Sequence, residues 1–191
     1  MAYKLWSNST CSGGCDFLTQ DGELHSIDGA WDLVIAHPPC TYLTVSGNAH
    51  FVEDRYYSKA SARFVDRIEA IKFFMEFVMC GAKRIAVENP IGIMSNVYRK
   101  PDQIIHPWMF GDNVPKATCL WLKNLKPLVP DVEEEPRMEY YEWISKSGKK
   151  KRQAKWFMDA LKSEDTQKIR SKTFEGIARA MAEQWGNEER A

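Results

Sequence analysis

The sequence predicts an α/β domain built on a mostly parallel sheet. Short apolar runs stand near residues 32–36, 84–87 and 117–122, each long enough for a buried strand. One strong helical period, over about residues 60–79, separates the first two. The first two runs also stop at prolines, Pro38-Pro39 and Pro90, which cannot continue a sheet ladder. Strand, helix, strand in that order is the pattern of a right-handed crossover between parallel neighbours.

The 191 residues are enough for one domain with a sizeable core, and 44% of them are hydrophobic. The expected organisation is a single domain over 1–191, with 131–172 as a charged insert. The 26 basic and 26 acidic residues cancel, so global charge argues for no partner. No apolar run approaches a membrane span, and the N-terminus lacks a signal-peptide pattern. Five scattered cysteines suit a reducing cytoplasm better than a disulfide framework, so a cytoplasmic location is expected.

Before the first run, Cys15–Thr19 and Glu23–Ile27 read as a hairpin around Asp21-Gly22. Cys11, Cys15 and His25 match no standard zinc spacing, and no metal is expected. The first run, Leu33-Val34-Ile35-Ala36, then delivers His37-Pro38-Pro39-Cys40 to the carboxyl edge of the sheet, where open α/β folds place their chemistry. On position alone, Cys40 reads equally as a nucleophile or as a small buried hydrophobe. Residues Thr41–Tyr57 follow, with Tyr42, Phe51, Tyr56, Tyr57 and Gly47 among them. In the long helix, Phe64, Ile68, Ile71, Met75 and Val78 form one apolar stripe that Phe73, Phe74 and Phe77 widen. Ser58 or Ser61 is placed to cap its start. The second run ends in Glu88-Asn89-Pro90, a carboxylate and an amide where a core strand would end in a plain turn.

Beyond Pro130 the charge changes sharply. Residues 131–142 carry a local net of −5 and residues 143–172 a local net of +7. Lys149-Lys150-Lys151-Arg152 is the densest basic run, with Trp156 and Phe157 close behind. Cations beside aromatics suit a surface that tracks phosphates and stacks bases; a solvated loop is the other reading. The last segment, Thr173 to Trp185, reads as a helix capped by Thr173, with Phe174, Ile177, Ala178, Met181 and Trp185 on one face.

Pro-Pro-Cys and Glu-Asn at successive strand ends resemble the cytosine-5 DNA methyltransferases. Ile35–Leu43, Ile104–Gly111 and Lys116–Leu122 look more narrowly like phage-encoded methyltransferase-like proteins. The resemblance spans Trp31 to Leu128, with a weaker echo at Ser171 to Trp185. It implies a Rossmann-like, reduced methyltransferase-type fold. It also implies a thiolate at Cys40 that attacks C6 of cytosine, and a Glu88 that holds the N3 edge of the base. Asn89 would position Glu88 or hold the exocyclic amino edge, and residues after Cys40 would be a mobile loop over an extruded base. Lys116 stands near the strand where the family places a basic base contact, although the family's Gln-Arg-x-Arg pattern is missing. Lys149, Lys150, Lys151 and Arg152 fall where it places its target-recognition region.

S-adenosylmethionine is the cofactor so implied, and here the sequence departs from the family. Ser12-Gly13-Gly14 is the only candidate for the glycine turn, with no helical pattern after it. A second polypeptide or a homodimer would then complete the cofactor pocket. The expected partner is DNA or a pyrimidine nucleotide. The alternative is a non-enzymatic nucleic-acid- or protein-binding module on a degenerate methyltransferase scaffold.

Overall fold

The structure is a computed structural model that describes residues 16–18, 24–26, 31–51, 53–162 and 174–186. It is mixed α/β and divides into two compact units, residues 1–105 with 117–127, and residues 106–116 with 128–191. Cys11, Cys15, Ser12-Gly13-Gly14 and Thr173 lie outside the described residues.

In the first unit, β1 (Asp16–Leu18) and β2 (Leu24–Ser26) pair antiparallel as the expected hairpin. The main sheet has four strands: β3 (Leu33–Ala36), β4 (Arg84–Pro90), β5 (Gln103–Ile105) and β6 (Thr118–Lys123), in the order β3-β4-β6-β5. β3 and β4 are parallel, with Leu33 opposite Arg84 and Ala36 opposite Val87. The crossover between them is α1 (Glu53–Met79), preceded by a 3-10 turn at Val45–Phe51.

The rest of the sheet corrects the expectation of a mostly parallel one: β6 runs antiparallel to β4, and β5 antiparallel to β6. A parallel return needs a crossover of a dozen residues or more, usually a helix. The four-residue α2 (Met94–Val97) leads from β4 to β5, which run the same way. Between β5 and β6 the chain has only a 3-10 turn, so β6 doubles back and lies antiparallel between the two.

The buried face of α1 also differs from the expected stripe. Phe73, Phe74 and Phe77 are buried against Ile85, Val87 and Trp121, and Phe74 meets Trp121 edge-on at 5.1 Å. Phe64 and Ile68 are 44% and 53% exposed. The reason is length: a helix of 27 residues runs about 40 Å, whereas a four- to seven-residue strand covers roughly half that. Among the described side chains of α1, those packed in the core run from Ala70 to Val78. The helix begins at Glu53, so Ser58 and Ser61 fall inside it and not at its start.

In the second unit, Pro107–Phe110 form a 3-10 turn, β7 (Tyr140–Ile144) pairs antiparallel with β8 (Lys150–Ala154), and α3 (Lys155–Lys162) and α4 (Glu175–Gly186) follow. The N-terminus of α4 is capped from a distance, the Gly176 amide donating to Asp112 at 2.9 Å. Gly176 lies against the Phe110 carbonyl, where a Cβ would collide. The buried face of α4 holds Ile177, Met181 and Trp185 as expected, but Ala180 rather than Ala178.

One close approach fixes the sheet edge used below. The Ile93 amide donates to the Leu43 carbonyl at 2.8 Å, and Thr44 and Gly92 form an isolated bridge. A Cβ on Gly92 would run into the Leu43 carbonyl, which is backbone and cannot swing aside. We expect Gly92→Ala to destabilise the protein by about 2–4 kcal/mol, on the scale of other forced backbone clashes. Urea denaturation checks this; a change under about 0.5 kcal/mol would mean the two loops part without cost.

Candidate active site

Parallel pairing makes two carboxyl ends coincide. Because Ala36 lies opposite Val87, the next residues, His37 and Glu88, meet at the same edge. The His37 Nδ1 and the Glu88 Oε2 are 2.7 Å apart, and the two side chains are 18% and 17% exposed. A carboxylate this far from water requires a partner, and the imidazole is that partner. One proton lies between the two atoms: carried on Nδ1 it is donated to an ionised Glu88, and carried on Oε2 it is donated to a neutral imidazole. The sequence motifs singled out Glu88 but gave His37 no role. A polar residue at the end of an apolar strand, in register with Glu88, was the available signal.

One step further along, Asn89 faces Pro38. The Asn89 side chain is 1% exposed, and its Nδ2 donates to the Pro38 carbonyl at 2.8 Å. This bond fixes the Pro38-Pro39 turn that presents Cys40. The Asn89 Oδ1 is buried without a hydrogen-bond partner. Asn89 is therefore a clamp between the two strand ends, a role equivalent to positioning.

Cys40 follows at the carboxyl end of β3 and is partly exposed. Its carbonyl accepts from the Leu43 and Thr44 amides at 3.0 and 3.1 Å, closing a tight turn. The loop beyond is strapped to α1. Arg67 donates from Nε to the Tyr42 carbonyl at 2.9 Å and from Nη2 to Asn48 Oδ1 at 2.7 Å. Its guanidinium lies 3.5 Å from the centroid of the Phe51 ring. The Tyr42 hydroxyl is raised above the usual phenol range by burial and by its hydrogen bond to Asp66. Of the aromatics in this stretch, Tyr42 and Phe51 are thus engaged with Arg63, Asp66 and Arg67 in this state, and the side chains of Tyr56 and Tyr57 lie outside the described ones.

Cys119 lies on β6 opposite Asn89 and is buried. Burial, and then the Glu88 carboxylate, push its thiol up to about 11. It stays protonated where a catalytic thiolate would be needed. Cys80, on the same core, is also buried. Among the described residues no group of His, Cys, Asp and Glu could hold a metal ion.

The remaining predicted site residues lie in the second unit. The Lys116 Nζ lies 5.6 Å from the centroid of the Phe174 ring. Lys149, Lys150, Lys151 and Arg152 are exposed at the turn and on β8. Trp156 packs beside Phe174, with ring centroids 5.9 Å apart.

Comparison with family models, with curated proteins and with solved structures finds no match. The chemistry of the site therefore rests on its residues.

Thiol alkylation tests the contrast between the cysteines. Iodoacetamide on the native protein, read by peptide mass spectrometry, is expected to modify Cys40 well ahead of Cys80 and Cys119. Raising the pH from 7 to 9 should leave Cys119 unlabelled, because its thiol ionises only near 11. Labelling of Cys119 at the rate of Cys40 would contradict this geometry.

Proposed function

We propose that the chain carries the base-activating half of a cytosine-5 methyltransferase-like reaction, with Cys40 as nucleophile. The observation that carries the reading is the His37–Glu88 pair at the carboxyl edge that Cys40 follows. A Rossmann-like, reduced methyltransferase-type scaffold is part of the same reading; the parallel β3–α1–β4 crossover supports it.

The chemistry follows from the ring. Cytosine C5 is a poor nucleophile until C6 is attacked. The Cys40 thiolate forms a bond to C6, and the C5–C6 double-bond electrons move toward C5. Protonation or strong hydrogen bonding at N3 helps that addition. Glu88 supplies it, and His37 replaces the proton that Glu88 gives up. Asn89 holds the turn so that Cys40 and Glu88 keep their spacing. Without a donor, C5 takes up a proton from solvent; loss of the original C5 proton and expulsion of Cys40 then restore the aromatic ring. The target base would have to leave a duplex or be single-stranded.

S-adenosylmethionine is the methyl donor that the resemblance implies. The described residues do not fit it. β3 is the edge strand of its sheet, and among the described residues no strand, glycine turn and helix stand beside it. No step is therefore routed through the donor. A second polypeptide or a homodimer would complete its pocket. The same feature favours the second reading, a non-enzymatic nucleic-acid- or protein-binding module.

Hydrogen exchange at C5 separates the two without any cofactor. Reversible addition of a thiolate at C6 lets C5 exchange its proton with solvent. The purified chain with a cytosine-containing single strand in deuterium oxide is expected to exchange H5, followed by NMR. Cys40→Ser should abolish the exchange, and Glu88→Gln should slow it by about 10²–10⁴-fold, the usual worth of a general acid. Exchange no faster than in buffer, or unchanged in Cys40→Ser, would leave the binding module. Calorimetric titration of the lone chain with S-adenosylmethionine is expected to give weak binding or none.

A further inference from the structure

We propose that one face of the β7–β8 hairpin is a binding surface for single-stranded nucleic acid. The inference rests on the hairpin alone and does not require the Cys40 chemistry.

Side chains alternate across a strand, so the two faces of the hairpin can be separated residue by residue. Tyr141 lies opposite Gln153 and Trp143 opposite Lys151. The Ser145 amide donates to the Lys149 carbonyl at 2.9 Å, which extends this face by one more pair. The face thus carries Tyr141, Trp143, Lys149 and Lys151 and no acidic residue. Tyr141 and Trp143 are 41% and 44% exposed. From the helix that follows, Lys162, paired with Asp159 at 3.8 Å, lies 5.6 Å from the Tyr141 ring centroid.

The opposite face has a different character. Glu142 neutralises Lys150 at 2.8 Å, Arg152 lies 4.7 Å from the Tyr140 ring, and Ala154 is buried. The four-residue basic run is therefore not one patch. Lys150 and Arg152 are occupied locally, whereas Lys149 and Lys151 flank exposed rings. Among the described residues neither of these two lysines has an acidic partner. At the base of the ribbon, Lys155 is likewise engaged by Glu139 at 2.6 Å.

Two exposed rings on one strand, roughly 7 Å apart and flanked by uncompensated lysines, match what an unpaired strand offers. Every unpaired base presents a π-face, and each phosphate presents a negative charge. A duplex hides its base faces in its own stack, so it could use the lysines and not the rings. The acid-free composition of this one face, beside a segment rich in carboxylates, is the charge complementarity that selects a polyanion.

The test uses the full chain and fluorescein-labelled oligothymidylate, oligouridylate and a duplex, read by anisotropy. None requires a methyl donor, and the two single strands lack cytosine, so binding is scored apart from the reaction at Cys40. Both single strands should bind more tightly than the duplex. Trp143→Ala should weaken single-strand binding about tenfold, within the range found for one stacked base. Lys151→Gln should reduce the slope of log affinity against log salt by about 0.7, the release expected from one single-strand phosphate. Ile144→Ser, on the opposite face, should change affinity less than twofold. These side chains are exposed, and an unchanged circular dichroism spectrum verifies folding. Equal affinity for the duplex, no binding at low salt, or an equal loss from Trp143→Ala and Ile144→Ser would overturn the proposal.

Discussion

The parallel, in-register pairing of β3 with β4 is the constraint on which the site depends. Register is decided by the apolar residues, Val34 and Ala36 beside Ile85 and Val87, all packed in one core under α1. A slip of one residue would turn each strand's buried side chains to the other face. It would also separate His37 from Glu88, and Pro38 from Asn89. The polar site is thus a by-product of apolar packing one or two residues earlier. In return, the Asn89–Pro38 bond and the Leu43–Ile93 bond close the two strand ends together. Each of these contacts joins residues about fifty positions apart in sequence, so the crossover through α1 has to be complete before any of them forms.

Much of this was legible in the sequence. The runs that became β3, β4 and β6 stand out as apolar, and proline marks the ends of the first two. The direction of β6 was not legible, because an apolar run buried on both faces reads the same either way. The face of α1 was only partly legible. Phe64 and Ile68 share the helical period of the core residues, but the period carries no information on where the sheet beneath ends. His37 went unassigned because its partner lies across the sheet. Tyr141 and Trp143 were obscured by the basic run that follows them, whose alternation matters only once β8 is known to be a strand.

The two compact units divide the account as well. The first holds a thiol, a carboxylate and an imidazole at one sheet edge, groups suited to covalent activation of an electron-poor ring. The second holds a ribbon whose two faces differ in charge. The straps from Arg67 to the loop after Cys40 bear on the first unit: in this state Phe51 is held against the helix and is not poised over a base. A cation over a partly buried ring and two hydrogen bonds hold that loop. Releasing them would cost a few kcal/mol, within reach of substrate binding energy.

The central claim is that Cys40 forms a covalent bond to C6 of a pyrimidine. Intact-mass spectrometry of the lone chain, incubated with a single strand containing 5-azacytosine, tests it most directly. The ring nitrogen at position 5 makes C6 strongly electrophilic, so the thiolate adduct forms without a methyl donor. The account predicts a mass increase of one oligonucleotide per chain, mapped to Cys40, absent in Cys40→Ser and retained in Cys119→Ser. No adduct, or an adduct on another cysteine, would contradict it.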